Sequence, residues 1–264
     1  MTPIILHHGF LGHAAWQIGP VKWSYFKGID NAIVARKYPL IITGVHPTAS
    51  VATRARQLKE TILSRLSEMN RSGEKVVILA HSMGGLDARY MLSHLGMAQH
   101  TKALVTISTP HRGSAYADWC VQNLGRRLGG LQLMKYLRLD VQGLLDVTLA
   151  GCEQFNQATP DEPGVKYYSV SAQRPENQMP PFARHSHRVI RMAQGENDGL
   201  VAVSSAQWGE HLATWPVDHW LLINRRLVPN AGRSGRIIGY WMNILNRLEE
   251  DGLLEGVRSH AARV

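Results

Sequence analysis

Five consecutive apolar residues, Val76-Val77-Ile78-Leu79-Ala80, lead without a break into His81-Ser82-Met83-Gly84-Gly85. An apolar run without polar alternation fits a strand covered on both faces, and such strands belong to parallel sheets enclosed by helices. A helical spacing follows over residues 83–95, with Leu86, Tyr90 and Leu95 directed inward, so the unit reads strand–turn–helix. The runs Ile4-Ile5-Leu6, Leu40-Ile41-Ile42 and Ala103–Ile107 repeat the strand signal; Tyr167–Val170 and, more weakly, His211–Trp215 extend it. Helical spacing recurs over Arg54–Met69, ended by Ser72-Gly73, and over Arg236–Leu248. Strands alternating with helices predict an α/β fold with a mostly parallel sheet.

Residues 115–150 break this alternation. They are rich in leucine, carry Arg126, Arg127, Lys135 and Arg138, and hold no acid between Asp118 and Asp140. No strand signal occurs there, so the segment is expected to be a helical insertion over the sheet of a single domain spanning 1–264. Its leucines face the core or the substrate, and its basic residues suit transient contact with anionic lipid.

Composition narrows the function classes. The 264 residues suffice for a full core, and 44% apolar with 19% charged residues is ordinary globular composition. The net charge of +9 comes from scattered Lys and Arg rather than basic blocks, which argues against nucleic acid as a partner. No obligate protein partner is indicated. Cys120 and Cys152 form no metal-binding spacing and are expected to be free thiols. The chain opens without the basic and apolar regions of a secretory leader, so a cytoplasmic location is expected, or a leader already removed.

The turn after Ala80 carries chemistry. A serine between a buried strand and a helix matches a nucleophile elbow, with small residues, Ala80 and Gly84, crowding each other across the turn. The alternative is that Ser82 merely caps the helix. A helix starting near Met83 directs backbone N–H groups at the site, favouring developing negative charge. The loop His7-His8-Gly9-Phe10-Leu11-Gly12 ends the first strand, making the amides of Phe10 and Met83 the candidate oxyanion donors. A base and its orienting acid should follow in the order serine, acid, histidine. His219 is the candidate base; Asp198 is preferred over Glu196 and over Asp218, whose side chain beside His219 should point elsewhere.

These residues resemble the bacterial true lipases, serine lipases of the α/β-hydrolase fold. The likeness rests on Ile4–Gly12, Tyr25-Phe26-Lys27-Gly28-Ile29, the Ser82 elbow with Gly84-Gly85 and Arg89-Tyr90, Ser108–Ser114, Asn197-Asp198-Gly199-Leu200-Val201, and His219. It implies Asp198 as the triad acid, His219 as the base, and a mobile lid over 115–150. It also implies what is missing. Leu221 stands where secreted members place a calcium-binding aspartate, and no aspartate occurs between Asp161 and Asp198. Neither cysteine matches the family's disulfide, and the repeat-rich tail of one secreted branch is absent. A calcium-lacking, intracellular relative is expected.

The expected activity is hydrolysis of acylglycerols or related lipid esters through an acyl-enzyme, with no cofactor and no metal. A short-chain carboxylesterase, a thioesterase or an acyltransferase would use the same triad, and a binding protein on a dead hydrolase scaffold would lack a triad member. Leu11, His81, His111, Leu128, Leu131 and Leu200 are the candidate substrate lining. The pairs His7/His8 and His185/His187 lack partners at metal-ligand spacing. Asp87 and Arg89 are expected on a helix surface.

Overall fold

The computed structural model describes residues 1–12, 15–18, 21–128, 141–227 and 234–255. Six parallel strands form one sheet in the order β4 (Leu40–Ile42), β1 (Ile4–His7), β5 (Val76–His81), β6 (Thr101–Ile107), β7 (Lys166–Ala172) and β8 (Glu210–Trp215). A separate antiparallel pair, β2 (Ala15–Ile18) and β3 (Val21–Ser24), follows the first loop. The expected strands are thus all present, each within a few residues of its sequence signal.

Side-chain alternation explains why β5 is apolar throughout. Val77 and Leu79, with Ile4 and Leu6 of β1, point to one face, where they meet Ile29 and Ile33 of α1 (Ile29–Ala35). Trp241, Ile244 and Leu248 of the last helix, Ser234–Glu250, complete that layer. Ile78 and Ala80, with Ile5, point to the other face, against Leu58, Ile62 and Leu66 of α2 (Val51–Glu68) and Met91 and Leu92 of α3 (Gly84–His94). Each such buried aliphatic side chain contributes about 1.5–3 kcal/mol, so the two layers fix the sheet firmly. The Ser50 hydroxyl caps α2 by accepting from the Thr53 amide at 3.2 Å.

α2 differs in one respect from its sequence reading. Met69 is exposed, and the inward face is extended by Arg54, which is fully buried. Other helices carried no clear sequence signal, among them α1 and Arg184–Gln194. Between β6 and β7 the described chain is helical, over Ala115–Leu128, Gln142–Asp146 and Leu149–Ala158. Residues 129–140 of the expected insertion lie outside the described residues. Loops leaving the carboxyl ends of β1, β5, β6 and β8 meet at one edge of the sheet, the usual binding edge of a parallel sheet.

Candidate active site

Ser82 follows β5 directly and holds φ at 57°, a left-handed conformation strained for any residue but glycine. Its amide donates to the Ile107 carbonyl at 2.9 Å, which ties the turn to β6. A Cβ on Gly84 would meet the His8 carbonyl oxygen at 2.7 Å and His7 Cδ2 at 2.9 Å, so the end of β1 and the loop after it crowd this position. A Cβ on Gly9 would lie 2.5 Å from Ser82 Cβ. The first loop is therefore packed against the serine.

That loop is rigidly held. Leu11 has φ 57° and donates its amide to Pro47 at 2.8 Å, while Gly12 donates back to Gly9. Beneath it the Arg54 guanidinium donates to the carbonyls of His8 at 2.9 Å and His46 at 2.8 Å, and to Asp87 Oδ2 at 2.9 Å. His7 bridges Thr43 and the same Asp87 oxygen. Burial alone would raise the Asp87 carboxyl, but the Arg54 charge and the His7 contact outweigh it and hold it below its ordinary value. Asp87 is fully buried and Arg89 nearly so, which corrects their expected place on a helix surface. Arg89 lies 3.6 Å from the Trp208 ring centroid and bonds Asn156 and the Thr159 carbonyl.

The amides of Phe10 and Met83 donate to no protein acceptor among the described residues. Both therefore keep a free donor in the folded protein.

Asp198 is completely buried after a tight turn. Its Oδ1 accepts from the amides of Leu200 at 2.9 Å and Val201 at 2.7 Å. Its Oδ2 accepts from His219 Nδ1 at 2.7 Å and from the Ser108 hydroxyl at 2.6 Å. The His219 amide also donates to the Asp198 carbonyl at 3.0 Å. Asp218 points away, as expected, pairing with Arg174 and accepting from the amides of Trp220 and Leu221. The Ser82 hydroxyl and His219 face one cleft with no hydrogen bond between them among the described residues. Such bonds commonly tighten only when substrate arrives.

The cleft holds about 440 Å³. Phe10, Leu11, Tyr116, Phe182, Leu200 and Trp220 give it an apolar wall, and Arg225 joins them. His81 lies behind, its ring 4.6 Å from that of His219. Tyr25 Oη and His81 Nδ1 are 2.9 Å apart, and burial keeps the His81 imidazole neutral, well below its ordinary pKa.

Of the candidate lining, Leu11, His81 and Leu200 meet here. His111 does not: it is buried on Thr106 and stacked on Trp208. Leu131 and the side chain of Leu128 lie outside the described residues. Sequence reading gave no individual role to Ser108, Tyr116, Phe182, Trp220 or Arg225, though Ser108 stood in the Ser108–Ser114 stretch and Tyr116 in the 115–150 insertion, both already singled out. No group of three or more potential metal ligands occurs among the described residues, and no described helix is long and apolar enough to cross a membrane.

Sequence and structure comparisons agree on the class. A family described as a PGAP1-like alpha/beta domain matches residues 49–160. Triacylglycerol lipase 2 of Saccharomyces cerevisiae is 32% identical over 207 residues, covering 76% of this chain and 62% of that protein. A triacylglycerol lipase of Burkholderia plantarii is 29% identical over 117 residues, covering 44% and 32%. The chain thus spans less than two thirds of the length of these relatives. The Staphylococcus hyicus lipase structure superposes with a TM-score of 0.74 at 16% identity, covering 96% of this chain and 97% of that one. The mature Bacillus licheniformis lipase gives 0.69 at 21% identity, covering 92% and 91%. The fold is that of the α/β hydrolases, and in sequence the chain is similar to triacylglycerol lipases.

Proposed function

We propose that this chain is a serine carboxylic-ester hydrolase of the lipase type, acting on acylglycerols or related lipid esters through an acyl-enzyme. The observation that carries the reading is the buried Asp198–His219 pair, with His219 in the cleft that Ser82 and Phe10 also line. Ser82 Oγ attacks the ester carbonyl while His219 Nε2 takes its proton. Asp198 Oδ2 holds the Nδ1–H and stabilises the imidazolium. The amides of Phe10 and Met83 receive the oxyanion, each contributing about 3 kcal/mol. His219 then protonates the leaving alcohol, activates water against the acyl-enzyme, and the acid departs.

Two finer features belong to the same proposal. The helices of the 115–150 insertion act as a lid, a reading supported by Tyr116 in the cleft wall and Trp119 stacked on it at 5.5 Å. Catalysis runs without calcium, a reading supported by Leu221 and by the Arg174–Asp218 ion pair that already ties down the loop of His219.

The test is hydrolysis of nitrophenyl esters of two to sixteen carbons by wild type and Ser82→Ala, with and without a calcium chelator. Long-chain activity that is lost in the variant and indifferent to chelator is expected. Activity confined to short chains makes the protein an esterase, and equal rates in both proteins overturn the reading.

A further inference from the structure

Each buried arginine side chain described faces a carboxylate: Arg54 meets Asp87, Arg174 meets Asp218, and Arg89 lies 3.7 Å from Asp161. Arg225, which is half-buried, does not. It lines the cleft shared by Ser82, Tyr25 and His219, and among the described residues it is the one Lys or Arg in that lining, with no Asp or Glu beside it. Its guanidinium makes one long hydrogen bond, Nη2 to the Ser24 carbonyl at 3.5 Å, and sits 5.9 Å from the Tyr25 ring centroid. Its Nε is buried with no partner. The segments 13–23 and 228–233, which flank this wall in sequence, contain neither Asp nor Glu.

The arginine is not there by slack. Its amide donates to the Trp220 carbonyl at 3.0 Å, on the loop that carries His219. Asn224 before it turns the chain with φ 59° and donates its side-chain amide to the Lys27 carbonyl at 2.8 Å. A guanidinium fixed at a partly desolvated position, with most of its five donors unspent, is an incomplete ion pair. Its planar fork matches phosphate or carboxylate oxygens two at a time.

We infer that Arg225 completes its pairing with the substrate, so the cleft selects esters that carry an anionic group within reach of the scissile carbonyl, such as glycerol esters bearing a phosphate. The inference rests on the ester-hydrolase reading of Ser82 and names its substrate class. It makes Arg225 a specificity-determining residue rather than a participant in acyl transfer.

The test compares dioleoyl phosphatidate with dioleoylglycerol, identical but for the phosphate, at equal mole fraction in the same neutral detergent micelles. Wild type, Arg225→Gln and Arg226→Gln are assayed, Arg226 being the exposed neighbour that reports attraction to a charged surface. Wild type should show a phosphatidate-to-diacylglycerol ratio of kcat/KM of about tenfold or more, one charge-assisted contact's worth. Arg225→Gln should bring that ratio close to one, and Arg226→Gln should leave it standing. A wild-type ratio near one, a fall in Arg225→Gln equal on both lipids, or a ratio lost equally in Arg226→Gln overturns the inference. Nitrophenyl butyrate run in parallel keeps the two claims apart. Turnover of butyrate that depends on Ser82, with no preference for or no turnover of phosphatidate, overturns the role of Arg225 alone. Failure on butyrate as well overturns the hydrolase reading with it.

Discussion

Ser108 Oγ donates to the same Asp198 oxygen that receives His219 Nδ1, at 2.6 Å against 2.7 Å. The carboxylate is thus held from four sides, two amides on one oxygen and a hydroxyl and an imidazole on the other. Ser108 itself has φ 48°, a strained conformation that the chain adopts at the end of β6.

Removing that hydroxyl should loosen the acid without unfolding the protein. A hydrogen bond to a charged group is worth about 1.5–3 kcal/mol, and three others remain on Asp198, so Ser108→Ala should lower kcat about tenfold. KM should stay near wild type, while the urea midpoint should fall by no more than that one hydrogen bond is worth. A parallel rise in KM would assign Ser108 to substrate binding instead.

Contact between the first loop and the serine should make Gly9 intolerant of a single methyl group. Gly9→Ala places a carbon at 2.5 Å from Ser82 Cβ, so either the serine or the amide of Phe10 must move. Displacement on this scale costs about a hundredfold in rate. The expected result is a kcat/KM reduced to that extent in a protein with wild-type circular dichroism; an active Gly9→Ala enzyme would show that the loop yields.

Arg54→Met should be among the most damaging changes away from the cleft. It strands the fully buried Asp87 carboxylate, which has His7 as its other contact, and breaking such a pair costs about 3–5 kcal/mol. Urea unfolding reads this directly. Arg54→Met with Asp87→Leu should recover part of the loss, because no charge is then left unpaired.

Acid should weaken the fold well above the range where carboxylates titrate. Burial lowers the imidazole pKa of His8 to about 3, and burial also shifts His7, His81 and His111 downward. The unfolded chain takes up these protons near the ordinary value of about 6.5 while the folded chain does not. Stability is therefore full above about pH 6.5 and declines as pH falls toward the folded values, with His8 contributing down to about 3. Asp87, with its pKa held low by Arg54 and His7, adds to the loss as pH falls below about 3.9. A urea midpoint that is flat from pH 7 to pH 4 would contradict this.

The centre of the sheet was legible because β1 and β5 are buried on both faces: β5 shows no polar residue from Val76 to Ala80, whereas the half-exposed edge strand β8 gave the weaker signal. The proposed triad could be read for a related reason, since Ser82, Asp198 and His219 stand in turns whose neighbours have little other purpose. Charged groups defeated the reading where helices are covered all round. In α3, Leu86, Asp87, Ala88 and Arg89 are all buried, so polarity there marks an interior network rather than a surface. Helix Arg184–Gln194 hid for the opposite reason: it buries only Ser186, His187 and Ile190, two of them polar. Arg225 had no local signal, because its meaning comes from the absence of any carboxylate in the cleft it lines.

The tie between Ser108 and Asp198 joins residues 90 positions apart, across β7 and the helix that follows it. The Ser108 brace on the partner of His219 cannot form before β6 has met the segment of Asp198, and closing such a long loop is slow. Local helices such as α2 need no such alignment. On refolding from denaturant, helical circular dichroism should therefore return first and ester turnover last, so that activity times the final closure of the sheet.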